Sequence, residues 1–134
     1  MSDDEKKSAT LSEPQMVLMR ILWAKPGATV IDVVEAMRNI RPLAHTTIAT
    51  MLMRLEKRGL ISSSRDGRQL LYSANFSETE VQRSMVDELL SSVFSGNAKA
   101  LLNHLVREEE IKFEDLEQLR KRLKNAEKKE AANE

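Results

Sequence analysis

The stretch that decides the fold is residues 44–61, AHTTIATMLMRLEKRGLI. Four of its apolar residues recur at the i, i+3, i+4, i+7 spacing of one helix face: Ile48, Met51, Leu52 and Leu55. This pattern predicts a helix from about His45 to Arg58 with a buried aliphatic face. Gly59 follows directly, and glycine often ends a helix because it tolerates the left-handed backbone conformation.

The opposite face of this predicted helix is polar and changes character along its length. Its first half carries small hydroxyl side chains, and its second half carries basic ones. The outward positions are Thr46, Thr50, Met53 and Lys57, flanked by Thr47, Ala49 and Arg54. Such a helix suits the major groove of B-DNA, where threonine can bond a base edge or a phosphate. Simpler interpretations exist, since threonines can cap a helix start and basic residues at a helix C-terminus can interact favourably with the helix dipole.

Two further helices are predicted upstream of this stretch. Ser12 and Gln15 form a capping box before a long apolar run. Thr29 begins a second, amphipathic helix, which Pro42 ends. The short gap between the second helix and the third, which starts at His45, is typical of a helix-turn-helix motif.

A β-hairpin is predicted directly after the third helix, in the sequence LISSSRDGRQLLYSA. Asp66 and Gly67 lie between two β-capable runs and are a strong signal for a two-residue type I′ turn. With that turn, Arg65 and Arg68 face each other beside the tip, which is mildly unfavourable for two like charges. Asp66 in part, or an anionic partner, should compensate. Three helices followed by a hairpin make residues 11–76 a winged helix-turn-helix domain.

The second half of the chain has the pattern of three more helices with broad apolar faces. A segment of about 50 residues encloses little core by itself, so we expect residues 77–124 to dimerise with a second copy. The alternative is a monomer in which these helices fold back onto the winged domain. The expected interface residues are Val81, Met85, Leu89, Leu101, Leu102, Leu105, Leu116, Leu119 and Leu123.

The two ends of the chain lack apolar periodicity. Residues 1–10 and 125–134 are therefore expected to be disordered. The low count of 4 Gly and 3 Pro in 134 residues leaves little room for loops. The expected fold class is mainly α, a winged helix-turn-helix domain followed by a three-helix dimerisation region.

The charge of the chain is unevenly distributed, although its formal net value is +0. Residues 41–76 carry six basic and two acidic side chains, a net of +4, whereas residues 77–134 carry ten basic and thirteen acidic ones, a net of −3. Phosphate groups interact mainly with charges within about one Debye length, so the local positive excess of residues 41–76 would determine the attraction to DNA.

Several kinds of chemistry are missing from the sequence. There is no cysteine, which excludes disulfides, thiolate zinc sites and a cysteine nucleophile. His45 and His104 belong to no spaced set of metal ligands, and there is no nucleophile elbow, P-loop or dinucleotide fingerprint. We therefore expect no enzymatic activity, no metal and no required cofactor. No apolar run approaches a membrane span and the N-terminus lacks a signal-peptide core, so we expect a cytoplasmic protein.

Taken in order, a small polar helix start, a basic helix end and a basic wing favour binding of double-stranded DNA. Several charge contacts per subunit would make that binding strongly dependent on salt. Two other classes stay open on the residues alone. One is a regulator that senses a small molecule bound between the halves, and the other is a winged-helix module that contacts proteins.

The chain also resembles a known family, the penicillinase-repressor (BlaI/MecI/CopY) regulators of bacteria. The resemblance spans about residues 11–124 and is carried by LSEPQMVLMRILW, ATVIDVVEAM, HTTIATMLMRLEKRGLI, RDGRQLLYSA and SGNAKALLNHL. It implies a homodimeric repressor that binds palindromic operators upstream of resistance or stress genes. The candidate DNA-binding residues, by pattern and resemblance together, are His45, Thr46, Thr47, Thr50, Arg54, Lys57, Arg65, Gly67 and Arg68.

The resemblance also bears on induction. The copper-responsive branch of the family carries a C-terminal cysteine cluster, so the absence of cysteine excludes that branch. In the β-lactam branch, a membrane sensor protease triggers a cut at an Asn-Phe bond in the dimerisation helices. The corresponding candidate here is the bond between His104 and Leu105, with Asn103 one residue earlier, and the Asn-Phe dipeptide is not reproduced.

Overall fold

The computed structural model describes residues 10–108 and 111–133, and these residues are mainly helical. The elements in chain order are α1 (Glu13–Ala24), α2 (Val30–Met37), α3 (His45–Lys57), β1 (Ile61–Asp66), β2 (Gln69–Ala74), α4 (Glu78–Ser92), α5 (Ala98–Arg107) and α6 (Phe113–Asn133). The predicted fold class, three helices with a hairpin wing followed by three helices, is confirmed. The prediction for residues 1–10 falls outside the described residues except at Thr10.

The first two helices start where the sequence predicts, because both have reciprocal caps. The Ser12 backbone N–H donates to Gln15 Oε1 at 2.9 Å, and the Thr29 backbone N–H donates to Asp32 Oδ2 at 3.0 Å. The hydrogen bond from Thr29 and the neighbouring Lys25 ammonium, 3.2 Å away, lower the pKa of Asp32. These caps satisfy backbone donors that a helix start leaves unpaired.

One hydrophobic core holds the first compact unit together. Its fully buried side chains come from the three N-terminal helices, the hairpin base and the start of α4; they include Leu18, Met19, Leu22, Val33, Met37, Ile48, Leu52, Leu55, Leu60, Ile61 and Val81. Trp23 is half-buried at the edge of this core, and its Nε1–H donates to the Phe76 carbonyl at 2.9 Å. The three helices and the wing therefore share one packed interior.

The hairpin differs from the prediction at its turn. Arg65 pairs with Leu70 and Asp66 pairs with Gln69, so the two-residue loop is Gly67-Arg68 instead of Asp66-Gly67. A type I′ turn requires positive φ at both loop residues, whereas only Gly67, with φ of 63°, adopts it here. The prediction that Arg65 and Arg68 face each other is therefore wrong, because Arg65 lies opposite Leu70 and Arg68 lies in the loop.

The base of the wing is fixed by a third piece of chain. Ala28 and Tyr72 form an antiparallel bridge in which each backbone N–H donates to the other's carbonyl, at 3.1 and 2.8 Å. The segment between α1 and α2 thus covers the free edge of β2. Pairing that edge removes exposed donors and acceptors that would otherwise need solvent or another strand.

The boundary between the two compact units falls after Leu89, inside α4, and not at residues 76–77 as predicted. The reason is that Val81 is only 1% exposed and belongs to the core of the first unit, with Met85 packed against it. The start of α4 is therefore part of the winged domain.

The second unit, from Leu90 onward, consists of the end of α4, α5 and α6. Asn97 Oδ1 caps α5 by accepting from the Ala100 N–H at 3.0 Å, and the rings of Phe94 and His104 meet edge to face at 6.3 Å. The prediction of a disordered tail from residue 125 differs from the structure, in which α6 continues to Asn133. Alanine, glutamate and lysine dominate this tail, and all three favour helix without apolar periodicity.

None of the described helices has the length and hydropathy together that a membrane span requires.

The core makes a direct prediction for stability. Leu52→Ala removes a fully buried side chain between α3 and the rest of the first unit, and we expect the free energy of unfolding to fall by about 2–5 kcal/mol. Chemical denaturation followed by circular dichroism measures this difference. The exposed Thr47→Ala in the same helix is the control and should change stability by less than about 0.5 kcal/mol. Equal effects of the two substitutions would contradict the assignment of the buried face.

Candidate nucleic-acid interface

The rotation of α3 about its axis determines which side chains reach solvent. Ile48, Leu52 and Leu55 are fully buried. Because each residue turns the helix by about 100°, the positions opposite this stripe point away from the core. The side chains found exposed there are Thr46, Thr50, Met53 and Lys57, with Thr47 and Arg54 exposed beside them. We call these six residues the outer face of α3.

The first turn of α3 is open, unlike those of α1 and α2. Its N-cap residue is Ala44, which has no side-chain acceptor, and no side-chain cap bond is formed there. The unpaired N–H groups and the positive end of the helix dipole suit an anion such as a phosphate. The sequence signal for this open turn is Ala44 itself, which stands before His45 where serine, threonine, aspartate or asparagine would cap the helix.

The threonine hydroxyls of the outer face are not used for capping. Thr50 Oγ1 donates to the Thr46 carbonyl at 2.9 Å, so its hydroxyl hydrogen is engaged while its oxygen can still accept. Among the described residues, no partner hydrogen-bonds the hydroxyls of Thr46 and Thr47. The simpler interpretation, that these threonines serve as caps, is therefore not supported by the geometry.

The C-terminal end of α3 is closed by a well-formed stop. Gly59 has φ of 82°, its N–H donates to the Glu56 carbonyl at 2.9 Å, and the Leu60 N–H donates to the Leu55 carbonyl at 3.0 Å. This pair of bonds is the Schellman motif. The predicted role of Gly59 as the residue that ends the helix is confirmed.

Polar contacts tie this helix end to the wing. The Asn75 N–H donates to the Leu60 carbonyl and its Nδ2 donates to the Gly59 carbonyl, both at 2.9 Å, while its Oδ1 accepts from the Ser62 hydroxyl. A second contact runs from the Ser63 hydroxyl to the Glu56 carboxylate. Sequence reasoning missed Asn75, whose position after β2 gives no local sign of these long-range bonds.

Six basic residues account for the local charge excess, and they divide into two groups. Arg41 pairs with Glu13 at 3.3 Å, and Arg58 donates to the Thr10 carbonyl at 3.1 Å, so each of the two has a partner within its own chain. The other four are exposed and form no ion pair within residues 10–108 and 111–133: Arg54, Lys57, Arg65 and Arg68. Two of these lie on α3, and two lie at the tip of the wing.

The predicted DNA-binding residues thus lie on two elements of the first unit. His45 begins α3 and is exposed, and Gly67 forms the wing turn with Arg68. The predicted cleavage site, His104 and Leu105, lies within α5, which belongs to the second unit. Their roles stay predictions.

The predicted dimerisation residues separate into covered and uncovered ones. Val81 is buried in the core of its own chain and Met85 packs against that core, so the prediction of an interface role is wrong for Val81. The physical reason is that this turn of α4 completes the winged domain. The remaining predicted residues are half-buried or exposed: Leu89, Leu101, Leu102, Leu105, Leu116, Leu119 and Leu123.

Three helices, a hairpin wing and an outward helix face rich in hydroxyls and cations define a winged-helix protein. The chain belongs to the penicillinase repressor family, whose family model matches residues 11–125. This membership confirms the predicted resemblance. The family is one of transcriptional repressors and not of enzymes.

Individual relatives cover nearly the whole chain. The penicillinase repressor of Staphylococcus aureus is 24% identical over 123 residues, which make up 92% of this chain and 98% of that protein. The transcriptional regulator BlaI of Mycobacterium tuberculosis is 34% identical over 119 residues, covering 87% of this chain and 85% of that protein. The methicillin resistance regulatory protein MecI of Mammaliicoccus sciuri is 24% identical over 116 residues, covering 87% and 94%.

Solved structures with similarity to the chain include two of BlaI. The solution structure of the DNA-binding domain of the repressor BlaI covers 55% of this chain and 89% of that one, with 25% identity and a TM-score of 0.49. The monomeric form of Bacillus licheniformis BlaI in complex with the blaP half-operator covers 53% and 87%, with 25% identity and a TM-score of 0.47.

The contact between α3 and the wing makes a prediction about pH. Burial, and then the Glu56 carboxylate, raise the pKa of Tyr72 above its ordinary value of 10.0. Folding therefore opposes ionisation of Tyr72, and the stability that the neutral phenol contributes is full below pH 10 and lost as pH rises through the folded-state pKa. Since the chain has one tyrosine, phenolate absorbance measures this titration directly.

The control for this measurement is the same protein in denaturant, in which Tyr72 should titrate near its ordinary value. Tyr72→Phe should also lessen the fall in the free energy of unfolding between pH 9 and pH 11, a range of about one pH unit on each side of the ordinary tyrosine pKa. If the Tyr72 phenol of the folded protein titrated at or below the denatured value, burial and Glu56 would not raise its pKa as described.

Proposed function

We propose that this protein is a sequence-specific DNA-binding transcriptional repressor that acts as a homodimer on a palindromic operator. The observation that carries the proposal is the outer face of α3, on which Arg54, Lys57 and the hydroxyls of Thr46 and Thr47 are exposed and unpartnered among the described residues. The family supports the same function, since relatives are named penicillinase repressor and methicillin resistance regulatory protein.

In this proposal α3 enters the major groove by its N-terminal half. Thr46, Thr47 and Thr50 are short enough to let the helix backbone approach the base edges, and threonine offers a hydroxyl to polar edges and a methyl to thymine. His45, at the start of the helix, would contact the DNA beside them. The open first turn at Ala44 supports contact with a backbone phosphate, because its N–H groups have no side-chain cap.

The cations supply the part of the affinity that does not depend on sequence. Arg54 and Lys57 would contact phosphates or flanking bases beside the groove, and Arg65 and Arg68 would contact phosphates or the minor groove from the wing, whose turn Gly67 permits. Each neutralised phosphate releases bound counterions, so affinity falls linearly with salt on a logarithmic scale. The bonds of Asn75 support a fixed distance between these two sets of contacts.

The salt dependence tests the contacts of Arg54 and Arg68. We expect the full-length protein to bind a duplex that spans the region upstream of its own gene, and each substitution, Arg54→Ala or Arg68→Ala, to lower the slope of log affinity against log salt by about one per subunit. Fluorescence anisotropy at several salt concentrations measures this slope.

Arg107→Ala is the matched control, because it removes an exposed arginine from α5 in the second unit. It should leave the slope unchanged. Unchanged affinity and slope for both Arg54→Ala and Arg68→Ala would show that the assigned residues do not bind DNA. Failure of every upstream duplex to bind in preference to a shuffled sequence would overturn the function itself.

The homodimer is supported by apolar surface on the second unit. On α6, the side chains of Phe113, Leu119 and Leu123 are 75%, 53% and 58% exposed. Leu116, Leu119 and Leu123 follow the three-four spacing of a helical seam, which a second copy could cover. A two-fold axis would present two α3 helices to two half-sites about 34–36 Å apart, and this matches a palindrome.

A double substitution tests the dimer separately from DNA contact. Leu119→Glu with Leu123→Glu introduces charge into the proposed seam, so we expect a monomer by sedimentation equilibrium and weaker binding to a two-half-site duplex. Gln118→Glu, an exposed position of the same helix, is the matched control and should stay dimeric. A wild-type protein that sediments as a monomer at every concentration would overturn the homodimer while leaving DNA binding open.

Induction by a membrane sensor protease stays a prediction. The candidate bond between His104 and Leu105 lies within α5, and a protease would need that helix to open locally before cleavage. Since the proposed function requires access to operator DNA, we expect the protein to be located in the cytoplasm.

A further inference from the structure

One apolar side chain of α3 is unexplained by the core. Met53 is 66% exposed, whereas Ile48, Leu52 and Leu55 of the same helix are fully buried. It lies on the outer face with Thr50 and Lys57, and it is not among the residues packed against the core. Single exposed apolar residues are common on protein surfaces, so exposure alone carries no function.

The surroundings of Met53 make the position unusual. Arg54 follows it directly and Lys57 lies one turn further, and both are exposed cations without an ion pair among the described residues. On the other side, Thr50 lies roughly 4.5 Å back along the helix axis, since each residue adds about 1.5 Å. Thr50 engages its hydroxyl hydrogen on the Thr46 carbonyl, which leaves a methyl and an acceptor to offer outward.

The surface around Met53 therefore has two parts, an apolar one formed by Met53 and the Thr50 methyl group and a cationic one formed by Arg54 and Lys57. A surface that binds only phosphate needs no thioether, and a wholly apolar partner would leave the cations beside Met53 unpaired. The major groove of a duplex offers both partners together, because thymine presents a C5-methyl group there and the phosphates lie at the groove edge.

We infer that Met53 is a specificity-determining residue that contacts the C5-methyl group of one thymine in each half-site. The inference rests on the proposed function and deepens it. The thioether side chain is unbranched and adaptable, so it can follow a methyl group without a fixed hydrogen-bond geometry. Lys57 and Arg54 hold the adjacent phosphates, and Met53 discriminates thymine from cytosine at the position between them.

The experiment separates the methyl group from the rest of the base. Full-length wild-type protein first selects its preferred sites from a pool of random DNA duplexes. Each thymine of the selected duplex is then replaced, one at a time, by deoxyuridine, which lacks only the C5-methyl group. Affinities of the wild type, Met53→Ala and Met53→Leu are measured for every replacement.

The expected result is a single thymine per half-site at which deoxyuridine weakens wild-type binding about four-fold, the effect of one buried methyl group. At that thymine Met53→Ala should show no loss, and Met53→Leu should keep the loss because it retains an apolar side chain. Ile31→Ala, which truncates an exposed isoleucine of α2, is the matched control and should keep the wild-type profile.

Identical deoxyuridine profiles for the wild type and Met53→Ala would overturn the inference while leaving the repressor function intact. That outcome, together with weakened capture of a protein partner, would assign Met53 to a protein contact instead. Enrichment of no duplex at all would overturn the proposed function and the inference with it. Circular dichroism of each variant excludes unfolding as the cause, since Met53 is outside the core.

Discussion

The burial of one aliphatic stripe on α3 is the constraint on which the rest of the interface depends. Ile48, Leu52 and Leu55 are fully buried and fix the helix rotation. A turn of one residue position, about 100°, would bring threonine into the core and leucine to the surface, at a cost of several buried apolar side chains. The direction of the outer face is therefore set from inside the domain, by residues that touch no ligand.

A second constraint joins the helix to the wing. The Schellman motif at Gly59, the bonds of Asn75 and the contact from Ser63 to Glu56 all lie where α3 gives way to β1. Hydrogen bonds of this kind contribute about 0.5–1.5 kcal/mol each, so together they resist relative motion of the two elements. These contacts therefore fix the base of the wing, whose tip carries Arg65 and Arg68, to the end of the helix that carries Arg54 and Lys57.

Much of this arrangement could be predicted from local sequence patterns. The helical spacing from Ile48 to Leu55, the capping boxes and the stop at Gly59 are short-range signals, and the structure contains all of them. The exposure of the hydroxyls and cations followed from the same spacing. Family membership agrees with that interpretation.

What could not be predicted depends on contacts distant in sequence. The Asp66-Gly67 signal is local, but the register pairs Ile61 with Ala74, which moves the loop to Gly67-Arg68. Val81 looked like interface because nothing in α4 itself shows that the winged core covers it. Likewise the Arg58 guanidinium stays charged but donates to the Thr10 carbonyl, and no composition count distinguishes this arginine from Arg54.

The alanine before α3 has a consequence for the thermodynamics of the free protein. Without a capping side chain at Ala44, the first turn of α3 is about 0.5–2 kcal/mol less stable than a serine or aspartate cap would make it. An anion that satisfies those N–H groups recovers this difference only in the bound state. Ligand binding and helix stability are then linked, so occupancy should raise the melting temperature and protect the first-turn amides from hydrogen exchange. A bound anion would in this way supply the cap that the first turn of α3 lacks in the free protein.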